Sequence, residues 1–109
     1  MTGTRLGLWA GATAFFLLAT AHVCSAEVIR VTVKNLVYSP AQISARVGDT
    51  IEWDNQDFII HTSTARDKSW EVMLPAHTKG QMVMKKAGTI EYYCKFHPNM
   101  KGQITVTEK

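Results

Sequence analysis

Residues 94–100 read CKFHPNM and place a cysteine, a histidine and a methionine in one short segment. On a β-strand, Cys94 and His97 would face opposite sides of the sheet, because side chains alternate with a period of two. They can meet only if the chain leaves the strand after Cys94 and turns. Pro98 and Asn99 favour that turn, since proline fixes φ and asparagine tolerates left-handed backbone geometry. The segment predicts a strand, a tight loop and a second strand.

The donor atoms of this loop suit a copper ion, and His61 offers a second imidazole upstream. Two imidazoles, one thiolate and a weak axial thioether are the ligands of a trigonal blue-copper centre. Sulfur from Cys94 and Met100 suits Cu(I), whereas imidazole suits both oxidation states. We therefore expect one Cu(I)/Cu(II) ion per chain, with His61, Cys94, His97 and Met100 as its ligands.

Each ligand has a structural alternative when it is considered alone. His61 would then be a core histidine, Cys94 an inert buried thiol and Met100 a side chain that fills a gap. Their combination favours the metal site. His77 lies in a polar turn and is expected to be solvated and outside the site. The large side chains predicted to fill the core are Met82, Met84, Trp53 and Trp70.

The first 26 residues match a secretory signal peptide. Arg5 supplies a short basic region, residues 6–21 are apolar, and small residues precede a cleavage site after Ala26. An uncleaved anchor is the alternative, although the apolar stretch is shorter than the roughly 20 residues of a membrane span. We expect a cleaved signal peptide at 1–26, a single domain at 27–109 and a periplasmic location.

Cysteine usage and charge exclude several classes of function. Cleavage leaves Cys94 without a partner for an internal disulfide, and metal coordination explains a thiol that survives outside the cytoplasm. The chain has 12 Lys and Arg against 9 Asp and Glu, and a net charge of +3. This excess is too small to indicate nucleic acid or an anionic membrane. We expect a monomer without stable membrane insertion.

An enzyme is the less favoured alternative. Cys94 and His97 are a conceivable nucleophile and base, but no third residue that would orient them is evident. A thiol nucleophile also has no use for Met100. We expect that the chain is not an enzyme.

The chain after the signal peptide is predicted to be all-β. Short alternating runs with turn signals at roughly 8–12-residue spacing are typical of a sandwich or barrel. Residues 54–57 are expected to form a polar loop. The short apolar run 58–60 leads into His61, and this preceding strand is expected to hold the histidine in place. The main strands are predicted at Glu27–Val33, Gln42–Val47, Thr50–Trp53, Gln81–Lys85, Thr89–Cys94 and Gln103–Thr107. Residues 62–64 are expected to be strand-like or extended, and residues 70–74 to form either a short strand or an irregular crossover.

Four stretches resemble the cupredoxin family, and most of all its short, amicyanin- or plastocyanin-like bacterial members. RVGDTIEW at 46–53 and NQDFIIHT at 55–62 resemble the strand that leads into the family's first ligand. AGTIEYYC at 87–94 and KFHPNMKG at 95–102 resemble its ligand strand and loop. The two-residue gaps on either side of His97 are similar to those of amicyanins.

This resemblance implies a Greek-key β-sandwich with copper at one end. It also implies transfer of single electrons between periplasmic redox proteins, a dehydrogenase or a c-type cytochrome, that dock transiently near His97. The alternative is a periplasmic copper-binding module for copper delivery, storage or resistance. An apolar docking patch around His97 is predicted from Met73, Leu74, Pro75, Phe96 and Pro98.

The chain departs from the family pattern beside its ligands. Thr62 stands where these proteins usually carry an asparagine that braces the ligand loop, and Ile60 stands where proline is frequent. Lys95 and Phe96 follow Cys94, where a small or hydroxyl residue is more usual. These departures leave the reduction potential and the docking surface open.

Overall fold

The computed structural model describes residues 25–108, in which nine β-strands and no helix are found. Residues 1–24, which carry most of the predicted signal peptide, lie outside this range, so the division at residue 26 stays a prediction. No helix in the described part is long and apolar enough to cross a membrane. The strands are β1 Val28–Lys34, β2 Val37–Ser39, β3 Gln42–Arg46, β4 Thr50–Asn55, β5 His61–Ala65, β6 Glu71–Leu74, β7 Lys79–Val83, β8 Gly88–Tyr93 and β9 Lys101–Thr107.

The strands form two sheets that pack face to face. One sheet has the order β2-β1-β4-β7 and the other has the order β3-β9-β8-β5-β6. Two strand pairs, β1 with β4 and β3 with β9, are parallel, while the remaining pairs are antiparallel. The predicted all-β sandwich is therefore confirmed.

Alternating side chains build the core between the sheets, as the periodicity predicted. Val31 and Val33 of β1 are wholly buried, and their polar neighbours face outward. Trp53 is also wholly buried, and Trp70 packs against the core from its edge. Met84 is buried in the core and Met82, which is half-buried, packs against that core, so both methionines fill the sandwich as expected.

Three local predictions need correction. The hairpin strand β2 was not predicted; it forms because Asn35 and Leu36, with φ of 53° and 59°, turn the chain back onto β1. The predicted loop at 54–57 begins too early, since β4 continues to Asn55, which pairs with Val33. The predicted turn before β7 ends earlier than expected, because Lys79 already pairs with Asp54.

Candidate metal centre

His61 is the first residue of β5, and its side chain is wholly buried. The expectation that a preceding strand holds it is wrong, because residues 56–60 form a loop. The buried Asn55 side chain fixes that loop: its Nδ2 donates hydrogen bonds to the carbonyls of Ile59 at 2.9 Å and Leu74 at 2.8 Å. An amide that satisfies several carbonyls at once holds β4, the loop and β6 together.

Two successive turns bring the other candidate ligands together. The His97 N–H donates to the Cys94 carbonyl at 3.2 Å, and the Met100 N–H donates to the His97 carbonyl at 2.9 Å. The Cys94 N–H then closes the loop on the Met100 carbonyl at 3.3 Å. The predicted tight loop is confirmed. Asn99 is not among the positive-φ residues of the described chain, so this turn does not use the left-handed geometry that asparagine tolerates.

The donor atoms of His61, Cys94 and His97 converge on one point. Cys94 Sγ lies 3.8 Å from His61 Nδ1 and 3.7 Å from His97 Nδ1, and one donor atom from each residue lies within 4.8 Å of the others. A thiolate and an imidazole bound to one ion at about 2.3 and 2.0 Å, in trigonal arrangement, would be ~3.7 Å apart. The spacing therefore fits a shared metal ion.

The chemistry of the four donors fits copper. Cys94 is wholly buried, Met100 is 3% exposed, and His97 is half-buried at the surface of the same end. Zinc sites use cysteine, histidine and carboxylate ligands but no thioether. His77, which the sequence analysis places outside the site, is exposed, and its ring contacts that of Phe58 with centroids 4.6 Å apart. Its predicted exposure is confirmed.

Asp57 holds the far side of the His61 ring. Its Oδ2 lies 2.7 Å from His61 Nε2. Because a carboxylate only accepts hydrogen bonds, Nε2 carries the proton, and the Nδ1 lone pair is left free toward Cys94. Burial raises the pKa of Asp57, but hydrogen bonds from the Leu36 N–H, His61 and the Asn35 N–H outweigh it and bring the pKa below its usual value.

A polar chain runs from the ligand loop to the surface. The Lys95 N–H donates to Thr62 Oγ1 at 3.0 Å, which contacts Thr64 Oγ1 at 2.9 Å. Thr64 Oγ1 donates in turn to Glu71 Oε1 at 3.3 Å, and Lys95 Nζ lies 3.0 Å from Glu71 Oε2. The hydrogen bond and the charge of Lys95 lower the pKa of Glu71. Thr62 thus contacts the ligand loop through its hydroxyl.

The predicted apolar patch needs one correction. Leu74 is wholly buried, because it pairs with His61 and turns into the core. Met73 and Phe96 are exposed as expected, at 45% and 47%. The loop before His61 also exposes apolar side chains, namely Phe58, Ile59 and Ile60.

Sequence reasoning missed the residues that support the ligands from elsewhere in the chain. The sequence predicts only a polar loop for Asn55 and Asp57, and it predicts no role for Tyr38, whose hydroxyl donates to the Thr62 carbonyl across the core. Neither periodicity nor spacing assigns a hydrogen-bond partner to these residues, and Tyr38 is 24 residues away from Thr62.

Comparison with known proteins places this geometry in a family. The chain is 29% identical to amicyanin of Paracoccus denitrificans over 97 residues, which cover 81% of this chain and 71% of that protein. It is 28% identical to the methylamine utilization protein MauL of Methylorubrum extorquens over an alignment of 110 positions, which covers 97% of this chain and 96% of that protein.

A solved structure has the same architecture. A purple cupredoxin from Nitrosopumilus maritimus superposes with a TM-score of 0.67 and 26% identity, covering 72% of this chain and 99% of that one. The sequence pattern of the family described as Cupredoxin-like domain matches residues 7–106. The chain therefore belongs to the cupredoxin-like domain family.

Proposed function

We propose that this chain is a small blue-copper electron-transfer protein in which His61, Cys94, His97 and Met100 bind one copper ion. The observation that carries the proposal is the convergence of the buried Cys94 thiol and two imidazole Nδ1 atoms at 3.7 and 3.8 Å. Bound copper would supply a one-electron Cu(II)/Cu(I) couple at this point. The family and the relatives support the same function.

The protein would contribute a rigid donor set. His61 is held by β5 and Asp57, while Cys94 and Met100 are joined through their backbones in the closed loop. Donors that are fixed by the fold hardly move when the charge of a bound ion changes. Little reorganisation accompanies the gain or loss of an electron, which is the property an electron carrier needs.

Electrons would enter and leave near His97, whose ring is half-buried at the end of the sandwich. Phe96 beside it exposes apolar surface, and so does Met73 on β6, the strand that pairs with the strand of His61. We propose that a redox protein, a dehydrogenase or a c-type cytochrome, docks here. Transient redox encounters bury less than about 1,200 Å².

The proposal includes export of the domain to the periplasm. A signal peptide at 1–26 would deliver a monomeric domain, 27–109, to the periplasm. The signal-like sequence supports this location, and so does the single thiol of that domain, which a metal would protect from oxidation.

The first experiment is to add one equivalent of Cu(II) to purified residues 27–109 and to record the visible absorption and copper EPR spectra. An intense thiolate-to-copper band with narrow hyperfine splitting is expected for the wild type and for His77→Ala. Cys94→Ser should lose both signals. A pale wild-type spectrum with ordinary splitting, or rapid bleaching, would contradict the proposal.

Voltammetry then separates the two copper functions. An electron carrier should give a reversible one-electron wave. A site that holds one oxidation state far more tightly and gives no reversible wave would instead support the module for copper delivery, storage or resistance.

A further inference from the structure

The turn between β1 and β2 lies in the sheet opposite His61, yet it is joined to that ligand. Asn35 and Leu36 form the turn with two consecutive positive φ angles, 53° and 59°. Such a pair is typical of the tight turns of β-hairpins, where asparagine or glycine is preferred. A leucine in this region is unusual, because its side chain crowds the backbone.

This backbone conformation aims two successive amides at one carboxylate. The Asn35 N–H donates to Asp57 Oδ1 at 2.7 Å, and the Leu36 N–H donates to Asp57 Oδ2 at 3.0 Å. Successive N–H groups in such turns form concave anion-binding nests. Both carboxylate oxygens are therefore fixed, and the plane of the Asp57 carboxylate is set by the hairpin.

The same Oδ2 atom accepts a hydrogen bond from His61 Nε2–H, with the oxygen and nitrogen 2.7 Å apart. The hairpin amides, Asp57 and His61 thus form one continuous chain that ends at the Nδ1 atom facing Cys94. Partners of this kind fix the tautomer and orientation of a metal-binding histidine and increase its donor strength.

A second contact joins the hairpin to the same strand. The buried Tyr38 of β2 donates its hydroxyl proton to the carbonyl of Thr62, the residue after His61. The hairpin is therefore linked to β5 twice: through Asp57 to the His61 side chain, and through Tyr38 to the adjacent peptide.

From these contacts, the geometry points to the β1–β2 hairpin as a positioning element of the copper site: the Asn35 and Leu36 amides hold Asp57, and Asp57 orients His61. This inference rests on the proposed function. It adds that an element of the opposite sheet sets how strongly His61 binds Cu(II) relative to Cu(I).

The test compares two substitutions in the copper-loaded protein. Asp57→Asn keeps the shape but replaces one acceptor oxygen with an NH₂ group. Its matched control, Asp54→Asn, removes the same charge from the same segment, where Asp54 contacts Gln56 and not His61. Losing the carboxylate partner of a metal-binding histidine weakens metal affinity by about 10–100-fold.

We expect Asp57→Asn to weaken Cu(II) more than Cu(I) and so to raise the reduction potential, with Asp54→Asn close to wild type. A merely structural role would lower the midpoint of unfolding without moving the potential. If the wild type forms a blue centre and Asp57→Asn keeps the wild-type potential, this inference alone fails. If the wild type forms no blue centre, the proposed function and this inference fail together.

If Asp57→Asn does not fold, a measurement on the wild type tests whether the hairpin and Asp57 position His61. The reduced Cu(I) protein is diamagnetic, so NMR can observe the His61 ring directly. A slowly exchanging proton on Nε2, with protected amides at Asn35 and Leu36, supports the inference. A proton on Nδ1, or rapid exchange at both amides, would overturn it.

Discussion

The hydroxyl of Thr62 accepts a hydrogen bond from the backbone N–H of Lys95 at 3.0 Å. Each of these residues directly follows a candidate ligand, His61 in one case and Cys94 in the other. One hydrogen bond therefore links the strand that carries the first imidazole to the loop that carries the thiolate. The asparagine expected at position 62 is absent, but the short threonine side chain still reaches the loop.

Thr62→Val should loosen this link. The variant keeps the shape of the side chain but leaves the Lys95 N–H without its acceptor, and the loss of one such partly buried hydrogen bond costs about 0.5–1.5 kcal/mol. Urea unfolding should show this loss, and copper should dissociate faster. Thr105→Val on the exposed face of β9 is the matched control and should change neither quantity. Equal dissociation rates for Thr62→Val and wild type would argue against a bracing role.

Met100→Leu should retain copper and raise the reduction potential. The loss of a weak thioether donor destabilises Cu(II) more than Cu(I), while leucine fills a similar volume. Met84→Leu, a buried methionine of the core, should leave the potential unchanged. Voltammetry and the visible spectrum provide the measurement. An unchanged potential in Met100→Leu would mean that the thioether is not a ligand.

Stability should depend on Asp49 in the acid range. Hydrogen bonds from the backbone N–H of Glu27 and then of Arg46 lower the pKa of Asp49. A lowered folded-state pKa adds stability above the unfolded value of about 3.9 and loses it as the pH falls through the folded value.

Asp49→Asn should accordingly lower the urea midpoint of the copper-free protein at pH 7. The difference from wild type should shrink below about pH 4, where the unfolded carboxyl takes up its proton. The exposed Glu108→Gln is the control. A difference that is constant with pH would show that shape, and not charge, explains the effect.

Gly102→Ala should disturb both the core and the ligand loop. A Cβ at this position would lie 2.3–2.6 Å from atoms of the Tyr92 ring, so the ring or the strand must shift. Overpacking of this kind costs about 1–3 kcal/mol. Thermal unfolding measures the loss, and Tyr92→Leu in the same chain should recover part of it. A fully stable Gly102→Ala would contradict the close packing of strand and ring.

Much of the fold could be predicted from local patterns. The alternation of Val31 and Val33 with polar residues predicted β1. The turn residues around Gly48 and Gly88 predicted strand ends, and both glycines have a positive φ in the structure. Pairing could not be predicted in this way. The parallel pairs of β1 with β4 and β3 with β9 depend on how distant strands meet, and alternation within one strand carries no information about its neighbour.

The sequence by itself determined which donor atoms the candidate ligands offer. Cys94, His97 and Met100 are close in the chain, so turn geometry alone brings them near one another, and the choice of donor atoms indicates copper. His61 could be named as the second imidazole because few histidines were available.

Tertiary structure alone decided which atoms hold those ligands in place. The Asp57 carboxylate that contacts His61 is also held by the amides of Asn35 and Leu36, which are 22 and 21 residues away in sequence and meet it only in the folded chain. Thr62 reaches Lys95 only because β5 lies beside β8. Hydrogen bonds act over about 3 Å in space, whatever the separation in sequence, so such support becomes visible only after the sheets have packed.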